Sequence, residues 1–596
     1  MNIIKIGREY LAGKWGWVAA ILALQLAQII FSLFLPSINA AIIDDGILKK
    51  DIPTIWRLGG AMLGLTALQL ICSVIAVIVS SRLSLDFGRR LRRDIFHHVQ
   101  SFSETDRHKF GASTLITRTT NDTNQVQMVI MMTFTVIVTA PIMGIGGIIM
   151  AVRQNARLSL LLLIIVPVLA ILVVTVMSKL APLHASQQQR IDRTSGILRE
   201  SLTGVRVIRA FNQQKRQSER FAEANETLRA TTLKIGTLWS LLMPASSLII
   251  GVSSAAIVWY GGHLIDKGSM EVGSLTAFIS YLMMILGAVM MSGMMMMMLP
   301  RAAVSAARLQ EVRETIPSIA SPAKPLPLPA APRSFVLDNA MIRFQDAEKP
   351  VLDNLNVRLS PHTTTAIVGS TGSGKSSLAR LFPRLIDPAE GGVYIENTST
   401  SERVDIRDLD LHELRQHIAF IPQTSFLFTG TIASNVAGKV THGGENAERV
   451  QRALEIAQAW EFVSKLDDGI HAPVESGGKN FSGGQRQRLA IARALYRCLP
   501  DEDGKPKADL VIFDDSFSAL DFTTDAALRA ALRENLGDVT VLIVASRIAT
   551  VRDADSIIVL DEGRVVGNAS HEELMESCQT YQEIVQSQFS AEEVGA

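Results

Sequence analysis

The sequence predicts a helical membrane domain followed by an α/β domain that grips phosphate. Three observations carry this expectation: six long charge-free runs in the first half, a proline-rich break after residue 313, and a strand–glycine loop–helix pattern beyond it. A chain of 596 residues is too long for one domain. It is 48% hydrophobic and 19% charged, against a usual charged share of about 25%. The deficit is concentrated in Trp15–Ile43, Leu58–Ser81, Thr123–Val152, Leu158–Ser178, Ile235–Ile265 and Val272–Pro300, runs of 29, 24, 30, 21, 31 and 29 residues. About 20 apolar residues cross a bilayer as a helix, so each run predicts one span. Helices of a soluble core carry a polar face, which these runs lack.

The segments between spans alternate in length. Residues 44–57, 153–157 and 266–271 are short and carry 6 Lys/Arg together, whereas residues 82–122 and 179–234 are long and carry 8 and 11. Positive charge collects on the cytoplasmic side, so both long loops and both termini are expected there. "RLSLDFGRRLRRDIFHHVQSF" has apolar residues at helical spacing and no proline, so the long loops read as helical extensions of the spans. Each must turn back, and Gly111–Val126 and Ser201–Gln214 are the expected places. The N-terminal "MNIIKIGREYLAGKWGW" reads as an interfacial helix leading into the membrane rather than a cleaved signal.

The expected divisions are residues 1–313 for the membrane domain, 314–333 for a linker and 334–590 for the second domain. "TIPSIASPAKPLPLPAAPRS" holds six prolines, which exclude a helix and favour a stiff extended segment. Beyond it, "TTTAIVGS", "ADLVIFDD", "VTVLIVAS" and "SIIVLDEG" alternate with helical segments, predicting a mostly parallel sheet. Lys+Arg is 58 against Asp+Glu 57, which argues for no nucleic-acid partner. Three cysteines, Cys72, Cys498 and Cys578, form no disulfide framework.

The chemistry begins at "GSTGSGKS", a full P-loop pattern after an apolar strand and before a helix. Gly369, Ser370, Thr371, Gly372, Ser373 and Gly374 form a loop whose N–H groups can surround phosphate oxygens. Lys375 would reach the β- and γ-phosphates of ATP, and Ser376 would hold Mg²⁺. "LVIFD" ends a buried strand at Asp514, where an unpaired carboxylate is costly unless it meets a metal. In "FSGGQRQRLAIARAL", Ser-Gly-Gly precedes a helix, a second phosphate-type site, though the tripeptide is also ordinary loop chemistry.

P-loop, "IPQTSFLFTGTIASNV", "FSGGQ", "LVIFDDSFSALD" and "VTVLIVASR", in this order downstream of six spans, resemble an ATP-binding-cassette exporter half-transporter of the bacterial multidrug type, with the six-helix (type IV) exporter fold. The resemblance covers nearly the whole chain, and it is strongest to the degenerate-site subunit of heterodimeric exporters. It implies a head-to-tail dimer in which each ATP lies between the P-loop of one chain and the signature of the other. By resemblance, Gln423 contacts Mg²⁺ and the attacking water. Phe481, Ser482, Gly483, Gly484 and Gln485 form the signature facing the partner's ATP, and Asp521 lies in the loop between the two sites. Phe344 falls where the family stacks a tyrosine on adenine, and phenylalanine keeps the stacking face. Gly111–Val126 and Ser201–Gln214 resemble the family's coupling helices.

Two departures bear on catalysis. Asp515 stands at the position of the family's catalytic glutamate, and Ser546 at that of its switch histidine. Loss of one methylene withdraws the carboxylate by about 1.5 Å, and serine cannot carry charge as imidazole does. The implied subunit binds ATP, hydrolyses it slowly, and lends an intact signature to a catalytically intact partner. A third departure places Ser476 and Gly477 where the family often has Glu-Arg. Nine methionines between Met283 and Met298 suit an adaptable hydrophobic pathway or, equally, ordinary packing and lipid contact.

The expected activity is therefore ATP-driven export of small hydrophobic or amphipathic compounds across the bacterial inner membrane. The alternatives are a lipid or lipopeptide flippase, a siderophore importer of exporter fold, and an ATP-gated regulatory membrane protein.

Overall fold

The computed structural model describes residues 2–344, 347–438, 446–500 and 507–594; the side chains of residues 2, 294, 296, 297 and 589–594 lie outside that description. Three methionines of the Met283–Met298 cluster, Met294, Met296 and Met297, are among the latter. The chain divides into two compact units, residues 1–100 with 110–316, and residues 101–109 with 317–596.

The first unit is helical. A short amphipathic helix α1 (Asn2–Leu11) buries Ile6 and Tyr10, one turn apart. Six helices long and apolar enough to cross a membrane follow: α2 (Trp15–Ile47), α3 (Ile52–Gln100), α5 (Ala112–Gln154), α6 (Ala156–Thr203), α8 (Gln214–Asp266) and α9 (Val272–Glu314). Between them lie two short ones, α4 (Glu104–Phe110) and α7 (Val205–Ala210). All six charge-free runs fall inside these six helices, as expected. At 1.5 Å per residue the 49 residues of α3 reach about 74 Å, well over twice a hydrocarbon core of about 30 Å.

Leu33 of α2, Leu169 and Val173 of α6, and Phe278 and Tyr281 of α9 share one core. The Tyr281 hydroxyl donates to the Leu33 carbonyl at 2.8 Å, so its polar tip is satisfied inside an apolar layer. Gly293 lets α9 approach α6: a Cβ there would sit 2.1 Å from Cγ1 of Val173.

The long loops turn back at two places. The second does so through Gly204–Gln213, within the expected Ser201–Gln214. The first turns over residues 101–111, ahead of the expected Gly111–Val126, because Ser103 and Asp106 start a new helix there. Asp106 N–H donates to the Ser103 hydroxyl and Ser103 N–H to the Asp106 carboxylate, both at 3.1 Å. Residues 112–126 already belong to the returning helix α5.

The second unit holds two main sheets. An antiparallel sheet has the order β2 (Leu352–Leu359), β1 (Arg333–Ile342), β4 (Glu390–Asn397), β5 (Arg403–Asp405). The larger sheet has the order β12 (Arg564–Ala569), β11 (Ser556–Asp561), β3 (Thr364–Gly369), β10 (Thr540–Val544), β9 (Leu510–Asp514), β6 (Ile418–Ile421). It is parallel except for the β11–β12 pair. A small pair, β7 (Gly430–Thr431) with β8 (Pro473–Val474), lies apart. Strands β9 and β10 are buried along their whole length, as apolar runs in the middle of a parallel sheet should be. Their side chains alternate between two cores: Val511, Phe513, Val541 and Ile543 pack on one face, and Leu510, Ile512, Leu542 and Val544 on the other.

Candidate nucleotide site

The order β3-β10-β9-β6 decides where the chemistry collects. In these adjacent parallel strands, the loops after β3, β10, β9 and β6 leave from one edge and carry Gly369–Gly374, Ser546, Asp515 and Gln423. The carboxyl edge of such a sheet is where α/β folds place their ligands.

The P-loop leads into helix α10 (Lys375–Ala379). Gly374 has φ +99°, and a Cβ on it would meet Cδ2 of Leu352 at 2.4 Å, so the loop closes only with glycine. The Lys375 ammonium donates to the carbonyls of Gly369 at 2.8 Å and Ser370 at 2.9 Å. Burial lowers its pKa, and the charges of Asp515 and Asp514 oppose that. Ser373 is buried with a hydroxyl that has no partner among the described residues.

Ser376 donates to Oδ1 of Asp514 at 2.6 Å. Asp514 is 1% exposed, and its Oδ2 has no partner among the described residues. Burial raises its pKa; the Ser376 bond and the charges of Arg380 and Lys375 pull the other way. A buried carboxylate with one bare oxygen beside a serine hydroxyl fits a small, hard, oxygen-seeking cation, so the residues present suit Mg²⁺.

Asp515 follows with φ +49°, a left-handed conformation that aspartate enters more readily than most residues. Gln423 Nε2 donates to its Oδ2 at 3.3 Å and the Ser546 hydroxyl to its Oδ1 at 3.4 Å. The residues expected to deal with the attacking water are thus brought together around one carboxylate.

The signature residues lie elsewhere in the unit. Ser482 caps helix α11 (Gly483–Cys498): its hydroxyl accepts from Gln485 N–H at 3.3 Å, and Gln485 Oε1 accepts from Ser482 N–H at 2.9 Å. Phe481 is buried, and Gly483 has open space where a Cβ would project. Among the described residues no hydrogen bond links the signature to the P-loop. Asp521 caps helix α12 (Phe522–Asn535) by accepting from Thr524 N–H at 3.1 Å; the Thr523 hydroxyl and this N–H hold its carboxyl well below the usual range. Phe344 is 41% exposed, free to offer a ring face. Ser476 and Gly477 form a tight turn in which Gly477, at φ +74°, donates to the Leu427 carbonyl at 3.0 Å.

Two groups escaped the sequence reading. Segment 101–109 belongs to this unit: Glu104 pairs with Arg380, just past α10, at 3.4 Å, and Asp106 accepts from Ser318 N–H at 2.9 Å. The Ser103-x-x-Asp106 spacing was the available signal. The other is Gln588, whose amide bonds the backbone of the Ser546 loop; a lone glutamine in a polar helix carries no motif.

Fold and site together define an ATP-binding-cassette exporter, with a transmembrane and an ATP-binding domain in one chain. Comparison agrees: the family described as "ABC transporter transmembrane region" matches residues 18–289, and that described as "ABC transporter" matches residues 352–500. The chain belongs to the ABC transporter family and is a multi-pass membrane protein whose second domain binds ATP. An ABC transporter ATP-binding protein of Mycobacterium tuberculosis is 43% identical over 100% of this chain and 99% of its own. YfiB of Bacillus subtilis, an ABC transporter ATP-binding protein, is 34% identical over 96% of each chain. An ATP-dependent lipid A-core flippase of Chromobacterium violaceum is 28% identical over 98% of this chain and 96% of its own. A solved bacterial Atm1-family ABC exporter has the same fold, with a TM-score of 0.77 over 98% of both chains at 22% identity.

Proposed function

We propose that this chain is the degenerate-site half of a heterodimeric exporter of hydrophobic or amphipathic compounds. It binds ATP at its own P-loop, hydrolyses it slowly there, and completes the partner's site with its signature. The observation that carries this reading is the Asp515 carboxylate, flanked by Gln423 at 3.3 Å and Ser546 at 3.4 Å. Aspartate sets the general base back by one carbon–carbon bond, about 1.5 Å, and a misplacement of about 1 Å can cost 10²-fold. Serine beside it can donate a hydrogen bond but cannot carry the charge of an imidazolium. Together they predict a site slower by at least about 10²-fold, near 3 kcal/mol of barrier. The P-loop, Gly369 to Ser376, keeps the family pattern, and Phe344 keeps an aromatic face where the family has tyrosine.

Ser376, Asp514 and Gln423 would hold Mg²⁺, which when bound neutralises charge on the terminal phosphates. Ser482, Gly484 and Gln485 would face the partner's ATP, with Asp521 between the sites. We take residues 1–313 as the membrane domain, 314–333 as the linker and 334–590 as the ATP-binding domain. The surplus of Lys/Arg in residues 82–122 and 179–234 supports a cytoplasmic ATP-binding domain on the bacterial inner membrane.

A second reading, lipid flipping, is favoured by the relatives named lipid A-core flippases, one from Chromobacterium violaceum and one from Bordetella avium, each 28% identical.

The test begins with the complex extracted from its native membrane and weighed by native mass spectrometry. A one-to-one assembly with a different half-transporter is expected; a homodimer overturns the heterodimer. Within that assembly, Asp515→Glu with Ser546→His should raise turnover at this site at least about tenfold, read with the partner's catalytic glutamate replaced. No increase removes the degenerate-site reading. Stimulation of turnover by amphipathic drugs supports multidrug export, and stimulation by lipid alone supports flipping.

A further inference from the structure

We propose that Gln588 is a positioning residue for the ATP site, holding the Ser546 loop in place with a two-point amide clamp. The inference rests on the proposed placing of Ser546 at the switch position beside Asp515, from which its hydroxyl would donate to the terminal phosphate of ATP. Gln588 lies on helix α14 (Gln579–Val594), near the end of the described side chains. Tyr581 and Val585 of the same helix are buried in the core that also holds Ile548. Gln588 comes three residues after Val585 and so continues the buried stripe of α14 toward that loop.

Both ends of its amide are used. Oε1 accepts from Ile548 N–H at 2.7 Å, and Nε2 donates to the Ser546 carbonyl at 2.8 Å. One backbone donor and one backbone acceptor leave a single orientation for the amide. Ile548 opens helix α13 (Ile548–Val551), where an N–H has no partner within the helix. The clamp closes a ring across Ser546, Arg547 and Ile548, which restricts the backbone angles that aim the Ser546 side chain.

The rest of the loop is fixed from elsewhere. Arg529 of α12 donates to the Ala549 carbonyl at 2.9 Å, Thr550 donates to Asp525 at 3.3 Å, and the Arg547 guanidinium lies 4.9 Å over the Phe522 ring. None of these reaches Ser546. Among the described residues two hydrogen bonds do: its hydroxyl to Asp515 at 3.4 Å, and the Gln588 amide to its carbonyl. Without Gln588 the exposed Ser546 would be left with the weaker of the two, and its aim at a phosphate oxygen would depend on flanking residues alone. The C-terminal helix is thereby joined to the ATP site through one side chain.

The test uses the purified full-length complex with Gln588→Ala and Gln588→Glu. Hydrogen exchange read by mass spectrometry reports the clamp itself. Gln588→Ala should speed exchange at Ile548 by about tenfold, the upper range for one net hydrogen bond, with strand Thr540–Val544 unchanged. Gln588→Glu keeps an acceptor for Ile548 and should keep that amide protected, while its carboxylate repels the Ser546 carbonyl. The second readout is the affinity for ATP relative to ADP at this P-loop. Both variants should lower that ratio by about threefold or more, with ADP affinity unchanged, since ADP lacks the phosphate that Ser546 would meet. Ser546→Ala should lower it equally, and Ser546→Ala with Gln588→Ala no further.

Unchanged exchange at Ile548 in Gln588→Ala overturns the clamp. Faster exchange with an unchanged ratio, while Ser546→Ala lowers it, overturns the positioning role. Faster exchange with no effect of Ser546→Ala shows instead that Ser546 does not face the phosphate, and the inference falls with that reading. Equal losses of ATP and ADP affinity reduce Gln588 to a structural cap.

Discussion

Asp514 presents one oxygen that Ser376 satisfies and one that none of the described residues satisfies, at 1% exposure. Burial holds its proton to higher pH than the unfolded chain does. Without a cation the folded domain therefore loses stability as pH rises from the unfolded value, near 3.9, through the raised one, and the cost is complete above it. Asp514→Asn removes the buried charge but keeps an acceptor for Ser376. It should raise the melting temperature of the nucleotide-free protein at pH 7 by about 2–4 °C, some 1 kcal/mol for a domain of this size. The same variant should lose the further stabilisation that Mg²⁺ adds to ATP, and a thermal-shift series with and without the cation checks both. A fall in the nucleotide-free melting temperature would mean that the bare oxygen costs little. Acidification should weaken Mg²⁺ binding in the wild-type protein, because the cation must displace the proton that Asp514 retains.

Between residues and whole chain stand the elements that deliver them. Four neighbouring parallel strands bring the P-loop, Ser546, Asp515 and Gln423 to one edge, although Gly369 and Ser546 lie far apart in sequence. Much of this was legible. Apolar runs ending in GSTGSGKS and in Asp514 read as strand ends, because buried parallel strands are continuous apolar stretches and phosphate loops have few workable sequences. The first long loop was misread. Gly111, at φ +78°, looked like the start of the turn but is its end, and the start is set by the capping pair Ser103 and Asp106. Gln588 could not be read at all, since its partners are backbone groups some 40 residues away in sequence. The capping pair can be tested. Burial works against the Asp106 charge, but bonds from Ser318 and Ser103 outweigh it and hold the carboxyl below its usual range. Its contribution is therefore present above the unfolded value and lost as pH falls through the folded one. Asp106→Ala should cost about 1 kcal/mol locally, seen as faster hydrogen exchange over residues 101–109. If this segment couples substrate to the ATP site, substrate stimulation of turnover should drop while unstimulated turnover stays. Loss of both together would assign Asp106 to folding alone.

At the scale of the whole molecule, the distribution of charge supports the proposed orientation in the membrane. The two long loops carry 19 Lys/Arg and the three short ones 6, a bias of the kind that keeps basic loops on the cytoplasmic side. The turn near Leu48 and the helix α7 near Val207 belong to opposite classes of loop, and both side chains are exposed, at 59% and 60%. That makes them a matched pair for labelling. The native thiols interfere little: Cys498 and Cys578 are buried, and burial pushes the Cys498 thiol up to about 12, far from the reactive thiolate. Cys72, half-buried within α3, is replaced by alanine. In that background a membrane-impermeant maleimide applied to right-side-out vesicles should label Leu48→Cys and spare Val207→Cys, and permeabilisation should expose the second. The reverse pattern would put the ATP-binding domain on the wrong side for cellular ATP and would overturn export as the direction of transport. Equal labelling of both before permeabilisation would instead show that the two loops share a side, so an odd number of spans could not lie between them. Three membrane-spanning helices, α3, α5 and α6, lie between the two positions and predict opposite sides.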